Sequence, residues 1–189
     1  MKTHWTVIAT LLWVAAGCSR STAPAPGLTT TATIKDLMDA MVDPSAEYLF
    51  DNIVEIVDET GIIDKTPKTD EEWKEVRRRA LMLVEAPNLL VAPGRKVARP
   101  GEKPEYPEVE IGPEQIQKLI DDDRDAFVRR ARRLQDAAVL ALKAIDARDK
   151  KELFAKLGDV DKACESCHLH YWYPNDKRAR EAAKEEGVD

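Results

Sequence analysis

The sequence has little glycine and no excess of positive charge. Gly occurs 8 times in 189 residues, while 34% of the residues are charged and 43% are hydrophobic. This composition argues against a disordered chain and suits the exposed faces of helices better than a β-sandwich. The formal net charge is −6, so a nucleic acid, whose backbone is negatively charged, is not expected as a partner. The length allows one domain with a hydrophobic core.

Cysteine is also scarce, and the three cysteines fall into two separate groups. Cys18 stands alone near the N-terminus, whereas Cys164 and Cys167 form a pair near the other end of the chain. An odd number of cysteines in an exported protein raises the question of the unpaired thiol. Here each group has an explanation of its own.

The first eighteen residues, MKTHWTVIATLLWVAAGC, resemble a bacterial lipoprotein signal. Lys2 provides a positive charge, and the apolar run from Trp5 to Ala16 is too short to span a bilayer. Small residues directly precede Cys18. We therefore predict a signal peptide over residues 1–17, cleavage before Cys18, and attachment of lipid to Cys18 that holds the protein on a membrane. An ordinary secretory signal with an incidental Cys18 is the alternative.

A flexible tether is predicted for residues 18–32, which are small, polar and interrupted by proline. Ser19, directly after the predicted lipid attachment site, favours the outer membrane. Together these features predict a location in the bacterial cell envelope, lipid-anchored and facing the periplasm.

The chain beyond the tether shows the three- and four-residue spacing of amphipathic helices. The first predicted helix begins at Ile34, and Asp43-Pro44 is interpreted as an N-cap and first helical position that restart or kink it. Its apolar spacing continues through Ile56 and Val57. Three further helices are predicted over residues 70–91, 113–147 and 149–171.

Four amphipathic helices and no convincing strand predict an all-α fold, an antiparallel four-helix bundle over residues 33–175. The segment 91–112 contains four prolines and is predicted to be a loop. Loops of this length inside a domain are usually functional or disordered. A charged tail is predicted over residues 176–189.

The paired cysteines belong to the motif Cys164-Glu165-Ser166-Cys167-His168, a C-x-x-C-H. Residues three apart on a helix share a face, so both sulfurs can add to the two vinyl groups on one edge of a porphyrin, while His168 reaches the iron. We predict one covalent haem c near the C-terminal helix, attached through Cys164 and Cys167, with His168 as an iron ligand. Attachment takes place outside the cytoplasm, in agreement with the predicted export signal.

Three other uses of the cysteine pair remain open. A thioredoxin-like redox pair needs a βαβ context, which is not visible in this sequence. A zinc site would use Cys164, Cys167, His168 and His170, which lie too close together in the chain to close a tetrahedron well. A disulfide between the two cysteines, in a structural envelope lipoprotein, is the third alternative. We favour haem because the motif and the export signal agree.

A C-x-x-C-H near the C-terminus of an exported helical protein is similar to the cytochrome c-prime superfamily, including its Met-ligated low-spin members. The resemblance covers residues 33–173, and only the haem motif is specific. It implies a haem within the bundle, His168 as the proximal ligand, a first helix over the distal face, and allows a homodimer. The segment after the motif, LHYWYPND, departs from the family pattern, in which an Arg soon follows the His, so the family's propionate contacts are not carried over.

Two methionines on the first predicted helix are candidates for the sixth iron ligand. Met38 and Met41 are three residues apart and share a face, and filling the core is the alternative role for both. We favour Met38 because Met41 lies close to the Asp43-Pro44 break.

The distal ligand decides which function the resemblance implies. Ligation by His and Met favours electron transfer, so we predict an electron carrier with redox partner proteins in the cell envelope. An open distal face would instead imply binding of nitric oxide or carbon monoxide. No carboxylate pair or nucleophile–base set accompanies the motif, and no enzymatic activity is predicted.

Overall fold

The computed structural model describes residues 29–58 and 61–188, and it is helical throughout most of that range. The predicted signal peptide, Cys18 and the tether up to residue 28 lie outside the described residues. Six helices occur in the described part: α1 (34–52), α2 (Asp70–Leu90), α3 (Pro113–Asp122), α4 (Arg124–Asp146), α5 (Lys150–Tyr171) and α6 (Lys177–Glu186). The predicted all-α class is therefore confirmed.

Helix α1 begins with a capping box. The Thr33 hydroxyl accepts a hydrogen bond from the Asp36 backbone N–H at 3.0 Å, and the Asp36 carboxylate accepts one from the Thr33 backbone N–H at 2.9 Å. The next two backbone N–H groups, of Ile34 and Lys35, donate to carbonyls of the loop 91–112 at 2.8 and 2.9 Å. Donors that a helix start leaves without partners are thus satisfied.

The middle of α1 is a π-helical turn, Met38–Val42, between α-helical segments Ile34–Leu37 and Asp43–Asn52. The Asp43 backbone N–H bonds to the Met38 carbonyl, five residues back. Pro44 lacks an N–H and its ring crowds the carbonyl four positions earlier, which favours a wider turn at this place. Asp43 has helical angles (φ −60°, ψ −51°), so the prediction that it caps a new helix is wrong.

The predicted helix through Ile56 and Val57 is also wrong. Helix α1 ends at Asn52, and a short antiparallel hairpin follows, with Glu55–Asp58 (β1) paired to Gly61–Asp64 (β2). Both strands contain two adjacent β-branched residues, which fit an extended backbone better than a helix.

The third predicted helix, 113–147, is two helices in the structure. Asp123 leaves the helical region at φ −139°, ψ 73°, and its carboxylate accepts a hydrogen bond from the Ala126 backbone N–H at 2.9 Å. A capping aspartate therefore ends α3 and begins α4. In the predicted charged tail, Asp176 caps α6, and Gly187 ends it with φ +71°, a left-handed conformation that glycine adopts without strain.

The long helices pack in chain order: α1 on α2, α2 on α4, and α4 on α5. Within the described residues, α1 and α5 make hardly any close backbone contact with each other. The buried apolar residues form two clusters, a larger one among α1, α2, α4 and α5 and a smaller one that includes Ile34, Ile116, Phe127 and Tyr171. The opening between α1 and α5 positions the candidate site.

Candidate functional site

Helix α5 carries the C-x-x-C-H motif across the boundary between the two apolar clusters. It begins at an Asp149 cap, whose carboxylate accepts a hydrogen bond from the Glu152 backbone N–H at 2.9 Å. Further along, the Cys164 side chain packs against the larger cluster and the Cys167 side chain against the smaller one. The two cysteines are free thiols, and the apolar spacing of α5 directs both toward the interior.

Two adjacent cavities lie beside the motif. One, of about 330 Å³, is bounded by α1, the loop 91–112, the start of α3 and the end of α5. The other, of about 260 Å³, is bounded by α1, the end of α2, α4 and α5 and is lined by both Cys164 and Cys167. Met38, Asp43 and His168 line both cavities. The structure therefore brings together the predicted attachment cysteines, the predicted proximal histidine and one of the two candidate methionines.

The two candidate methionines have different surroundings. Met38 packs against both apolar clusters and lines both cavities. Met41 packs against the larger cluster and is absent from the lining of both cavities. The placement favours Met38 over Met41 as a distal ligand, and the ligation itself stays a prediction.

The electrostatics of the motif argue against a reactive cysteine pair. Burial raises the pKa of both Cys164 and Cys167 to about 12, whereas redox-active thiols have lowered pKa values. Among residues 29–58 and 61–188, no group of three or more His, Cys, Asp or Glu side chains is arranged to hold a metal ion. The structure thus gives no support to the zinc alternative, and the thiols lie free rather than joined in a disulfide.

The His168 imidazole lies beside two aromatic rings, and burial favours the form suited to ligation. Burial lowers the pKa of His168, so the neutral ring, which binds metals, is favoured. The ring centroids of Trp172 and Tyr173 lie 5.6 and 5.9 Å away. The Tyr173 hydroxyl donates to a carboxylate oxygen of Glu165, inside the motif, at 2.6 Å. The residues directly after α5 thereby hold the His168 side chain in place.

Asp43 is a site residue that the sequence analysis missed. Its carboxylate lines both cavities, and burial raises its pKa although the neighbouring His168 lowers it. Met38 and Asp43 are five positions apart, and the Asp43 backbone N–H donates to the Met38 carbonyl, the hydrogen bond that defines a π-helical turn. No regular helical period would have paired them.

Arg130 and Tyr171 lie beside the motif. The Arg130 guanidinium donates to the carbonyl and hydroxyl oxygens of Ser166 at 3.0 and 2.5 Å. Tyr171 is fully buried, meets Phe127 edge to face at 5.5 Å, and its hydroxyl has no hydrogen-bond partner in the described part of the chain. His170 is exposed, with Nδ1 3.4 Å from an Arg130 nitrogen.

These residues fit a covalently bound haem. Two free thiols three residues apart, an imidazole and a thioether converge on adjoining cavities, and a c-type haem requires the two thiols and the imidazole. None of the described helices has an apolar stretch long enough to cross a membrane.

No protein-family model matches the chain, and neither a characterised protein nor a solved structure is significantly similar to it.

Proposed function

We propose that this chain is an exported monohaem c-type cytochrome that carries electrons and performs no catalysis. In this proposal α1, α2, α4 and α5 form a four-helix bundle of the kind found in the cytochrome c-prime superfamily, with the haem between α1 and α5. The order in which the long helices pack, and the opening left between the first and the last of them, support this arrangement.

One observation carries the proposal. His168 on α5 and Met38 on α1 line the same two cavities, one of which also contains both thiols of the C-x-x-C-H motif. The four side chains that would attach the haem and ligate its iron thus come from both sides of one opening. A thioredoxin-like pair or a structural disulfide would require neither the histidine nor the methionine.

Each of these residues has a separate role. Cys164 and Cys167 would hold the porphyrin through thioether bonds, and His168 and Met38 would be the iron ligands. When bound, the haem supplies an iron that alternates between Fe(III) and Fe(II). The apolar residues of both cavities would shield part of the haem from water, and His168 and Met38, if both stay bound in both oxidation states, would keep reorganisation small.

The same proposal places the protein in the bacterial cell envelope. Lipid on Cys18 would hold it on a membrane, facing the periplasm, and Ser19 favours the outer membrane. The flexible residues 18–32 would let the folded domain approach redox partner proteins. The acidic net charge of −6 suits a basic partner surface. A homodimer is compatible with the proposal.

Absorption spectra of the protein, produced together with haem-maturation machinery, test the function. We expect a Soret band in the oxidised protein and a sharp reduced α band that carbon monoxide leaves unchanged, because Met38 occupies the distal position. A high-spin reduced spectrum that shifts with carbon monoxide would replace electron transfer with binding of small gases. Absence of a Soret band would contradict the haem proposal altogether.

A further inference from the structure

We propose that the loop 91–112 receives the propionate edge of the haem and that Lys103 is its cation. The inference rests on the proposed haem function and extends it to a segment whose role the sequence left open. It assigns a partner to the propionates, for which the segment after the motif offers no arginine close to His168.

The two cavities differ in a way that orients the porphyrin. Both are lined by Met38 and His168, but Cys164 and Cys167 line only the one between α1, α4 and α5. In a haem the two vinyl groups and the two propionates lie on opposite edges of the ring. Thioether bonds fix the vinyl edge in the cavity with the cysteines, so the propionates point into the other cavity, whose wall is the loop 91–112.

The cationic side chains of that cavity are Lys35 and Lys103. Lys35 Nζ is already paired with an Asp39 carboxylate oxygen at 3.2 Å. Lys103 is exposed and has neither an ion pair nor a hydrogen bond among the described residues. It is therefore the lysine free to pair with a propionate.

Acidic groups in the same cavity oppose the entry of propionates, so the free lysine is the group that would offset this repulsion. Asp39, Asp43, Glu105 and Glu110 all line it. One Glu110 oxygen accepts hydrogen bonds from the backbone N–H groups of Glu105 and Tyr106 at 2.9 and 3.2 Å, so this carboxylate organises the loop. Propionates entering this cavity would be repelled by the carboxylates unless a positive charge lay beside them.

Arg130 is a poorer candidate because of its position. It lines the cavity that holds the cysteines, and its guanidinium donates to Ser166 between them. A partner at the vinyl edge cannot reach the opposite edge of the ring.

The loop is fixed to the elements that carry the candidate ligands. The carbonyls of Lys96 and Val97 accept hydrogen bonds from the start of α1. The Val97 N–H donates to the Gln117 side chain on α3 at 3.0 Å. The Ile111 N–H donates to the Trp172 carbonyl, directly after α5, at 2.8 Å. A segment held at three sides has a defined position relative to Met38 and His168, as a recognition surface requires.

Three variants of the haem-loaded full chain test the inference. Lys103→Gln removes the charge, Lys103→Arg keeps it, and Lys96→Gln removes a charge from an exposed loop lysine that does not line the cavity. The propionate bending band is measured by resonance Raman spectroscopy, and the ratio of ferrous to ferric protein is measured at a fixed electrode potential.

We expect Lys103→Gln to shift the band and to lower the ferrous-to-ferric ratio by about threefold, because loss of a nearby positive charge favours the more positive ferric haem. Lys103→Arg should resemble the wild type, and Lys96→Gln should leave the band unchanged. A Lys103→Gln protein identical to the wild type, or equal changes in Lys103→Gln and Lys96→Gln, would overturn the inference while the haem remains. A wild-type protein without haem would instead overturn the proposed function, and the inference with it.

Discussion

At the scale of single residues, Met38 and Met41 show how the π-helical turn separates two side chains that the sequence places on one face. We expect Met38→Ala to convert low-spin iron to high-spin iron, because it removes the proposed distal thioether. Met41→Ala is the matched control and should keep the low-spin spectrum, since Met41 lines neither cavity. Absorption and electron paramagnetic resonance spectra of both variants make the comparison. An unchanged spectrum in Met38→Ala would rule that methionine out as the ligand.

The buried hydroxyl of Tyr171 leads to a prediction about stability. A buried donor without a partner costs about 1–3 kcal/mol, so Tyr171→Phe should raise the free energy of unfolding by about 1 kcal/mol in urea titrations. A loss of stability in this variant would mean that the hydroxyl has a partner in the protein in solution.

The pH dependence of stability gives an independent check on Tyr171. Burial raises its pKa to about 12, whereas the pKa of an unfolded tyrosine is about 10. Between these two pH values the folded protein keeps the Tyr171 proton that the unfolded chain releases. The free energy of unfolding therefore falls as the pH rises through the interval. The loss should be smaller in Tyr171→Phe than in the wild type, and equal slopes would contradict the assignment.

Candidate site residues could be proposed from the sequence where the chemistry itself fixes the spacing. Cys164, Cys167 and His168 were proposed because thioether attachment and ligation would demand that order, and the structure places all three in the lining of one cavity. Asp43 could not be found in the same way, because its approach to Met38 depends on a turn with one extra residue. That turn follows from Pro44, whose backbone effect is known but whose outcome, a kink or a π-helical turn, the sequence alone does not decide.

At the scale of elements, Asp123 decides how the long helical segment between residues 113 and 146 is divided. Its carboxylate caps α4, and loss of such a cap typically costs about 1 kcal/mol. We expect Asp123→Ala to lower the free energy of unfolding by that amount. Asp136→Ala, in the exposed interior of α4, is the matched control and should have little effect in the same urea titration. Equal stabilities of the two variants would show that the cap contributes nothing.

Elements were predicted well where periodicity and caps agree, and badly where a charged or β-branched run has two interpretations. The start of α2 and the whole of α5 follow directly from their apolar spacing and their capping residues, Thr69 and Asp149. The run Asp121-Asp122-Asp123 is equally compatible with a solvated helix face, so the break at its last residue is hidden in the sequence. Ile56 and Val57 match the helical spacing of α1, yet their branched side chains fit the hairpin better.

At the scale of the whole molecule, the opening between α1 and α5 is the feature that could not be predicted from the sequence. Amphipathic spacing gives the faces of helices but not which pairs of helices approach each other. In the structure the long helices follow one another in contact, and the first and last leave room beside the C-x-x-C-H motif. A haem bound there would contact the first and the last of the long helices and so link α1 to α5.

The proposed membrane attachment concerns the whole chain, and a single substitution tests it. The predicted lipid on Cys18 would anchor the folded domain through residues 18–32, since several acyl chains together hold a protein firmly on a bilayer. We expect Cys18→Ala to move the protein from the membrane fraction to the soluble fraction after cell disruption, measured by haem staining. Ser19→Ala, one residue further on, keeps the acylated position and should leave the protein in the membrane fraction. A Cys18→Ala protein that remained wholly membrane-bound would show that its attachment does not depend on lipid at this cysteine.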